Sequence, residues 1–286
     1  MLEKAIEVQD LHYSYGKTRA VDGVSFTVLP GEIMGFLGPN GAGKSTTIKM
    51  LTGMLRLQGG SAHLLGMDVR THRKDVQQRI GICFEEKNLY LNMSAVENLR
   101  FFARLFGIKG YSPKEALERV GLTDRRNDRV KKYSKGMRQR LMVARALVNN
   151  PDILFLDEPT DGLDPVSSRA IRAIVQAEAD RGAAIFLTTH DMNEADQLSD
   201  RVAFINEGKI VALDTPEELK LKHGKRAVKI RAKQGGEVVE ETIQLDTNDA
   251  GEQLKQAVTT EGLMTIHTEE ATLEDIFVKL TGRGLV

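Results

Sequence analysis

Apolar and polar positions alternate at the start of the chain. Ile6, Val8 and Leu11, then Val24, Phe26 and Val28, recur near every second residue, the period of a half-buried strand. Pro30-Gly31 interrupts this pattern as a turn. The apolar run Ile33–Leu37 feeds into glycines, and from Lys44 to Leu55 the residues Ile48, Leu51 and Leu55 follow at helical spacing. The prediction for this stretch is strand, glycine-rich loop, helix.

From about Asn92 to Val148 the spacing predicts helices. Ser94 with Glu97 forms a capping box, and Ser112-Pro113-Lys114-Glu115 predicts another with Pro at the first helical position. Ile153–Leu156 has the texture of a buried strand. Asp164-Pro165 opens a helix that buries Ile171, Ile174 and Val175. Ala184–Leu187 and Val202–Ile205 are further strands, with a hairpin expected at Asn206-Glu207-Gly208-Lys209. Apolar runs alternating with helices predict a largely parallel sheet covered on both faces, an α/β fold.

Thr215-Pro216-Glu217-Glu218 caps one more helix, after which the texture changes. His223-Gly224-Lys225-Arg226 is polar and turn-like. Val228, Ile230 and Ala232 alternate, Leu254 and Val258 suggest a helix, Leu263–Ile266 a strand, and Leu273, Ile276, Phe277 and Leu280 a final amphipathic helix. The expected organisation is a domain over 1–215, with a helical subdomain near 90–150, and a small α+β appendage over 216–286. The appendage is too small to be very stable alone.

Charge and composition narrow the classes. Lys plus Arg number 40 and Asp plus Glu 40, so the chain carries no net charge and no basic excess for bulk nucleic-acid binding. A single cysteine, Cys83, excludes an internal disulfide and a cysteine-cluster metal site. Cys83 reads as a small buried strand residue. The N-terminus lacks an apolar signal-peptide core, and no apolar run approaches the roughly 18 residues needed to cross a bilayer.

Gly38-Pro39-Asn40-Gly41-Ala42-Gly43-Lys44-Ser45 has the spacing G-x-x-x-x-G-K-[ST] between a predicted strand and helix. Glycines let successive backbone N–H groups curl around phosphate oxygens, and the helix adds its positive N-terminal end. Lys44 is suited to neutralise the β- and γ-phosphates, and Ser45 to ligate Mg²⁺. Asp157 and Glu158 leave an apolar strand together. Asp157 is placed to act on the metal through its water shell, and Glu158 to take a proton from an attacking water.

With these motifs the sequence resembles the ATP-binding subunit of an ABC transporter from Leu2 to Thr215, with the motifs in the family's order. The resemblance implies a P-loop ATPase with a mixed-sheet core and a helical subdomain. Gly38–Thr46, including Thr46, matches the Walker A motif, Asp157 the Walker B aspartate and Glu158 the catalytic glutamate. Gly162-Leu163-Asp164 matches the D-loop, and His190 the switch histidine near the γ-phosphate. Tyr15 sits where the family stacks an aromatic on adenine; the alternative is a strand-end Tyr packed in the core. Tyr133-Ser134-Lys135-Gly136-Met137 matches the signature, departing at Tyr133, Lys135 and Met137 and keeping Ser134 and Gly136, which touch phosphate in the family. In the Q-loop segment Ile80–Lys87, Glu85 stands where Gln is usual. It is either a metal-contacting carboxylate or, like Glu86, a solvated loop acid.

One phosphate loop and one signature per chain imply a head-to-tail dimer around two ATP molecules, a homodimer or a heterodimer with a second such chain. The implied partners are integral membrane subunits of an ABC exporter. The implied place is cytoplasmic, peripheral on the inner face of the cell membrane. Phe101, Leu105 and Phe106 read as helical core, whereas Leu89, Tyr90 and Leu91 read as docking residues. The ending Ala271–Arg283 resembles the tail of ATPases from bacterial drug, sodium and polysaccharide-type exporters. The expected function is ATP binding and hydrolysis that energises export. A non-transport ABC ATPase and an ATP-dependent regulatory module are the alternatives.

Overall fold

The computed structural model describes residues 4–85, 88–224, 227–234, 237–245, 247, 249–259, 262–269 and 271–282. The chain divides between Leu213 and Asp214 into two units.

In the first unit, β1 (Ile6–Tyr15), β2 (Thr18–Val28), β3 (Ile33–Leu37), α1 (Lys44–Leu51), β4 (Gly59–Leu64), β5 (Met67–Asp68), α2 (Arg73–Arg79) and β6 (Ile80–Cys83) come first. The helical segment follows as α3 (Ala95–Leu105), α4 (Pro113–Arg119) and α5 (Lys135–Ala146). Then come β7 (Ile153–Asp157), α6 (Pro165–Asp180), β8 (Ala184–Thr189), α7 (Met192–Leu198), β9 (Arg201–Asn206) and β10 (Lys209–Asp214).

Two sheets result. One is six-stranded, in the order β10-β9-β3-β8-β7-β6, and the other four-stranded, in the order β2-β1-β4-β5. β3 pairs in parallel with β8 and β9, and β7 in parallel with β6 and β8. β3, β7 and β8 are buried at every residue, which is why they read as continuous apolar runs. Their side chains alternate between two cores. Met34, Phe36, Phe155 and Phe186 meet Ile6, Val8, Val24 and Phe26 of the antiparallel sheet. Leu154, Leu156, Ile185 and Leu187 meet Leu141, Val143, Ile171 and Val175 of α5 and α6. Phe186 stacks on Phe26 with centroids 5.3 Å apart and tilts against Phe36 at 5.2 Å. One face of the parallel sheet is thus covered by a second sheet and the other by helices. β9 and β10 meet at Glu207-Gly208, both at positive φ (49° and 80°), the conformation of a tight hairpin turn.

Four local expectations change. α1 ends at Leu51 rather than Leu55, because Gly53 turns left-handed (φ 72°) and Met54 and Leu55 N–H both return to Lys49 O. Ser94 and Glu97 form the capping box, but Ser112 caps nothing with its side chain, so the second box is absent and α4 starts on its proline alone. Leu105 and Phe106 are exposed rather than core, since α3 turns Ala95, Asn98, Leu99 and Ala103 inward. Leu89 is buried, leaving Tyr90 and Leu91 as the exposed members of that trio.

The second unit comprises α8 (Pro216–His223), β11 (Ala227–Gln234), β12 (Glu237–Gln244), α9 (Ala250–Thr259), β13 (Leu263–Glu269) and α10 (Leu273–Thr281). Its sheet runs β12-β11-β13, fully antiparallel, with Val228, Ile230 and Ile243 packed on Ala257 and Leu254. Val258 faces out, because Ala250, Leu254 and Ala257 carry the inner stripe of α9. Thr215 and Thr272 cap α8 and α10, which pack together, and Lys279 Nζ donates to His223 O at 2.8 Å. Lys225 and Arg226 of the expected turn, Arg283 of the tail, and Glu86 and Lys87 of the Q-loop segment lie outside the described residues.

Candidate active site

Parallel pairing brings three chain segments to one sheet edge. Leu37 lies opposite Thr189, and Asp157 opposite Thr188. The loop after β3, the acids ending β7 and the histidine after β8 therefore emerge side by side, the usual ligand edge of a parallel sheet.

The loop from Gly38 to Gly43 is pressed against the body on one side and open on the other. A Cβ on Gly38 would lie 2.2 Å from Ile205 O, and one on Gly43 2.3 Å from Ala20 O, whereas one on Gly41 would meet nothing within 4 Å. Gly43 takes φ 111° and no side chain caps α1, so the first-turn N–H groups face the loop's open side without a side-chain acceptor. Pro39 O accepts from Ala42 N at 3.2 Å, Asn40 is exposed, and Ser45 and Thr46 are half-buried in the first turn. Lys44 is buried and folds back, its Nζ donating to Gly38 O at 2.6 Å and Pro39 O at 3.3 Å.

Asp157 is buried, and its Oδ1 accepts from Ser45 Oγ at 3.2 Å and from Thr188 Oγ1 at 2.5 Å. Glu158 follows in the left-handed region at φ 49°, a conformation that costs a non-glycine residue about 1–2 kcal/mol. Its N–H donates to Thr188 O at 3.0 Å, holding the turn. Glu158 Oε2 meets His190 Nδ1 at 2.9 Å and accepts from His190 N at 3.3 Å. Glu158 Oε1 is buried 3.2 Å from Lys44 Nζ, an ionic contact in which no donor hydrogen is aligned on the oxygen.

Lys44, Ser45, Asp157, Glu158 and His190 are thus one cluster. Ser134 and Gly136 lie elsewhere, at the start of α5. Ser134 Oγ accepts from Met137 N, and Gly136 packs so tightly on α6 that a Cβ would fall 2.2 Å from Ser167 Oγ. Lys135 Nζ comes within 3.9 Å of Asp161 Oδ2, just before Gly162. Tyr15 ends β1, half exposed, edge-on to Tyr13 at 4.9 Å, on the hairpin whose Ala20 abuts Gly43. Glu85 is exposed at a bend beyond β6, on the same sheet edge as Asp157, and is not among that residue's hydrogen-bond partners given above. Cys83 is fully buried, and burial pushes its thiol up from 9.0 to about 12.

A groove of about 790 Å³ opens beside the Q-loop segment, lined among others by Phe84, Leu89, Tyr90, Phe102, Phe106 and Arg145. Arg145 spans that segment. It donates to Asn88 O at 2.8 Å and Ile82 O at 3.4 Å, and lies 5.0 Å over the Phe102 ring.

The family described as ABC transporter matches residues 21–161. The fluoroquinolones export ATP-binding protein of Mycobacterium tuberculosis is 46% identical over 285 residues, covering 99% of this chain and 95% of that protein. The daunorubicin/doxorubicin resistance ATP-binding protein of Streptomyces peucetius is 44% identical over 235 residues, covering 80% and 70%. The chain belongs to the ABC transporter family. A solved ATP-binding subunit of an ABC transporter shares the fold, with a TM-score of 0.70 and 28% identity over 76% of this chain and 92% of that one.

As an ABC ATPase the chain hydrolyses ATP. Its residues suit the triphosphate: uncapped N–H groups, a loop open on one side and a buried ammonium whose acceptors are two loop carbonyls. They also suit Mg²⁺, since Ser45 Oγ stands in the first turn after the loop and the Asp157 carboxylate lies beside it, 3.2 Å away, where it would act through the ion's water shell. Among the described residues no group of three His, Cys, Asp or Glu could hold a metal. Sequence reasoning passed over Thr188, Thr189, Thr160, Glu194 and Arg145. The hydroxyl pair Thr188-Thr189, ending an apolar run directly before His190, was the one legible signal.

Proposed function

We propose that this ABC ATPase energises export through separate membrane-spanning subunits, with ATP bound at residues 38–46 and its hydrolysis as the driving step. The observation that carries this is the Lys44–Glu158–His190 cluster beside an uncapped phosphate loop, with Asp157 on Ser45. Among the described residues no helix is long and apolar enough to cross a membrane. In this reading the membrane path belongs to partner chains, and this chain acts peripherally, on the cytoplasmic face.

The loop N–H groups and Lys44 bind the phosphates, and Tyr15 stacks on the base. Ser45 and Asp157 hold Mg²⁺, with Glu85 as a further acidic group near that edge. The ion, when bound, neutralises phosphate charge. Glu158 accepts the proton of the attacking water through Oε1, which no hydrogen bond occupies, while His190 fixes the other carboxylate oxygen. In the resting chain Lys44 sits against that same Oε1, so phosphate binding draws the ammonium away and frees the base.

Ser134 and Gly136 lie on α5, apart from this cluster, and serve the nucleotide of a second chain in a head-to-tail dimer. The groove with Tyr90, Phe102 and Phe106 receives a helix of the membrane subunit. The test is a pull-down of tagged Glu158→Gln protein from solubilised native membranes with Mg-ATP, followed by mass spectrometry. Recovery of a multi-span membrane protein is expected. Recovery of soluble partners alone, at every ATP concentration, overturns the transport reading.

A further inference from the structure

Eleven residues, Glu158, Thr160, His190 and Glu194 among them, line a cleft of about 250 Å³ beside the cluster. Its innermost charged group is Glu194 on α7, only 2% exposed. A carboxylate so placed is expensive unless hydrogen-bonded, and burial raises its pKa above the ordinary carboxylate range. Both oxygens are occupied. Thr160 Oγ1 donates to Oε1 at 2.5 Å, and Thr189 Oγ1 donates to Oε2 at 3.3 Å. Thr189 Oγ1 also accepts from Asp191 N at 3.0 Å, and Asp191 Oδ1 accepts from Glu194 N at 3.1 Å.

The two threonines stand on different segments, each next to the chemistry. Thr160 is two residues beyond Glu158, whose backbone is held at φ 49°. Thr189 directly precedes His190. One carboxylate therefore ties the loop carrying the general base to the loop carrying the histidine that touches it at 2.9 Å. The hydroxyl–carboxylate bonds are charge-assisted, the stronger kind, and the carboxylate they hold is itself buried.

We infer that Glu194, through Thr160 and Thr189, is the positioning residue that sets Glu158 and His190 against each other for hydrolysis. It acts by fixing two backbone points. The inference rests on the proposed roles of Glu158 and His190 and adds the element that aligns them.

The test uses the full chain and measures steady-state ATP hydrolysis, nucleotide affinity and Tm for Glu194→Gln, Thr160→Val, Thr160→Ser and the double variant Glu194→Gln/Thr160→Val. Glutamine keeps the volume but loses one acceptor, and valine keeps the shape but loses the donor. Glu194→Gln and Thr160→Val should each lower kcat about tenfold or more, with KM for ATP within about twofold. The double variant should lose less than the two singles combined, because both changes weaken the same Thr160–Glu194–Thr189 network. Thr160→Ser, which retains the hydroxyl, should recover most of the loss. The inference is overturned if kcat stays within twofold in both single variants, if KM rises instead, if the double variant is additive, or if serine fails to rescue. If the unaltered chain shows no hydrolysis that Glu158→Gln abolishes, the underlying reading fails. If it does and the Glu194 series is flat, only this inference fails.

Discussion

Replacing Glu158 by Gln should do two opposite things to ATP. Two unit charges 3.2 Å apart, the Lys44–Glu158 separation, interact by about 5 kcal/mol at an effective dielectric near 20. Both groups are desolvated and no hydrogen is aligned on Oε1, which reduces the net worth of the contact to ~1–2 kcal/mol. Glutamine removes that attraction, so Lys44 turns to phosphate without first leaving a carboxylate, and the negative charge facing the γ-phosphate disappears. ATP should bind about tenfold more tightly. Hydrolysis should fall by about 10² to 10⁴ with the loss of the base. Competition against a fluorescent nucleotide, at protein concentrations too low for dimers, gives Kd, and phosphate release gives kcat. An unchanged or weaker Kd would refute the claim that Glu158 restrains Lys44. A kcat within tenfold of the parent would remove Glu158 as the base.

Gly136→Ala places a methyl 2.2 Å from Ser167 Oγ, whose hydroxyl bonds Asp164 at the start of α6; a Tm decrease equivalent to about 1–3 kcal/mol is expected by thermal melting. Tyr15→Ala should weaken ATP binding about tenfold while Tyr15→Phe retains it, read by nucleotide titration, since stacking needs the ring and not the hydroxyl. The Cys83 thiol is raised from 9.0 to about 12 in the folded chain. The stability this burial lends is therefore fully present below about pH 9 and lost as pH climbs through 12, and Cys83→Ala should flatten the alkaline limb of a denaturation series. Phe106→Ser should leave ATPase activity of the isolated chain unchanged and reduce recovery of a membrane protein in the pull-down.

The candidate cluster was largely legible because its residues are set by motifs local in sequence. The spacing from Gly38 to Ser45, and the acid pair ending an apolar run, each announce a backbone geometry that few other sequences need. The burial of β3, β7 and β8 on both faces was equally plain from their unbroken apolar texture. What stayed hidden depends on contacts between distant segments. The alternation in β1 and β2 does not say that they form their own sheet over one face of the parallel one. Ser112 has the residues of a capping box, yet its side chain makes no capping bond. Leu105 and Phe106 are apolar enough for a core, but the phase of α3 is fixed by Leu99 and Ala103. Glu194 looks like any surface glutamate on a short helix until Thr160, 34 residues earlier, is seen to reach it.

The pairing of β3 with β8 bears on how the chain is made. Leu37 finds its neighbour Thr189 about 150 residues downstream. At roughly 5 to 20 residues per second of synthesis, the phosphate loop waits about 8 to 30 s on the ribosome before the strand beside it exists. During that interval Ile33–Leu37 is an unpaired, wholly apolar edge, the kind of segment that holdase chaperones bind. The nucleotide site is encoded early and assembled late, so truncation anywhere before β8 should yield an aggregating fragment rather than a partial ATPase.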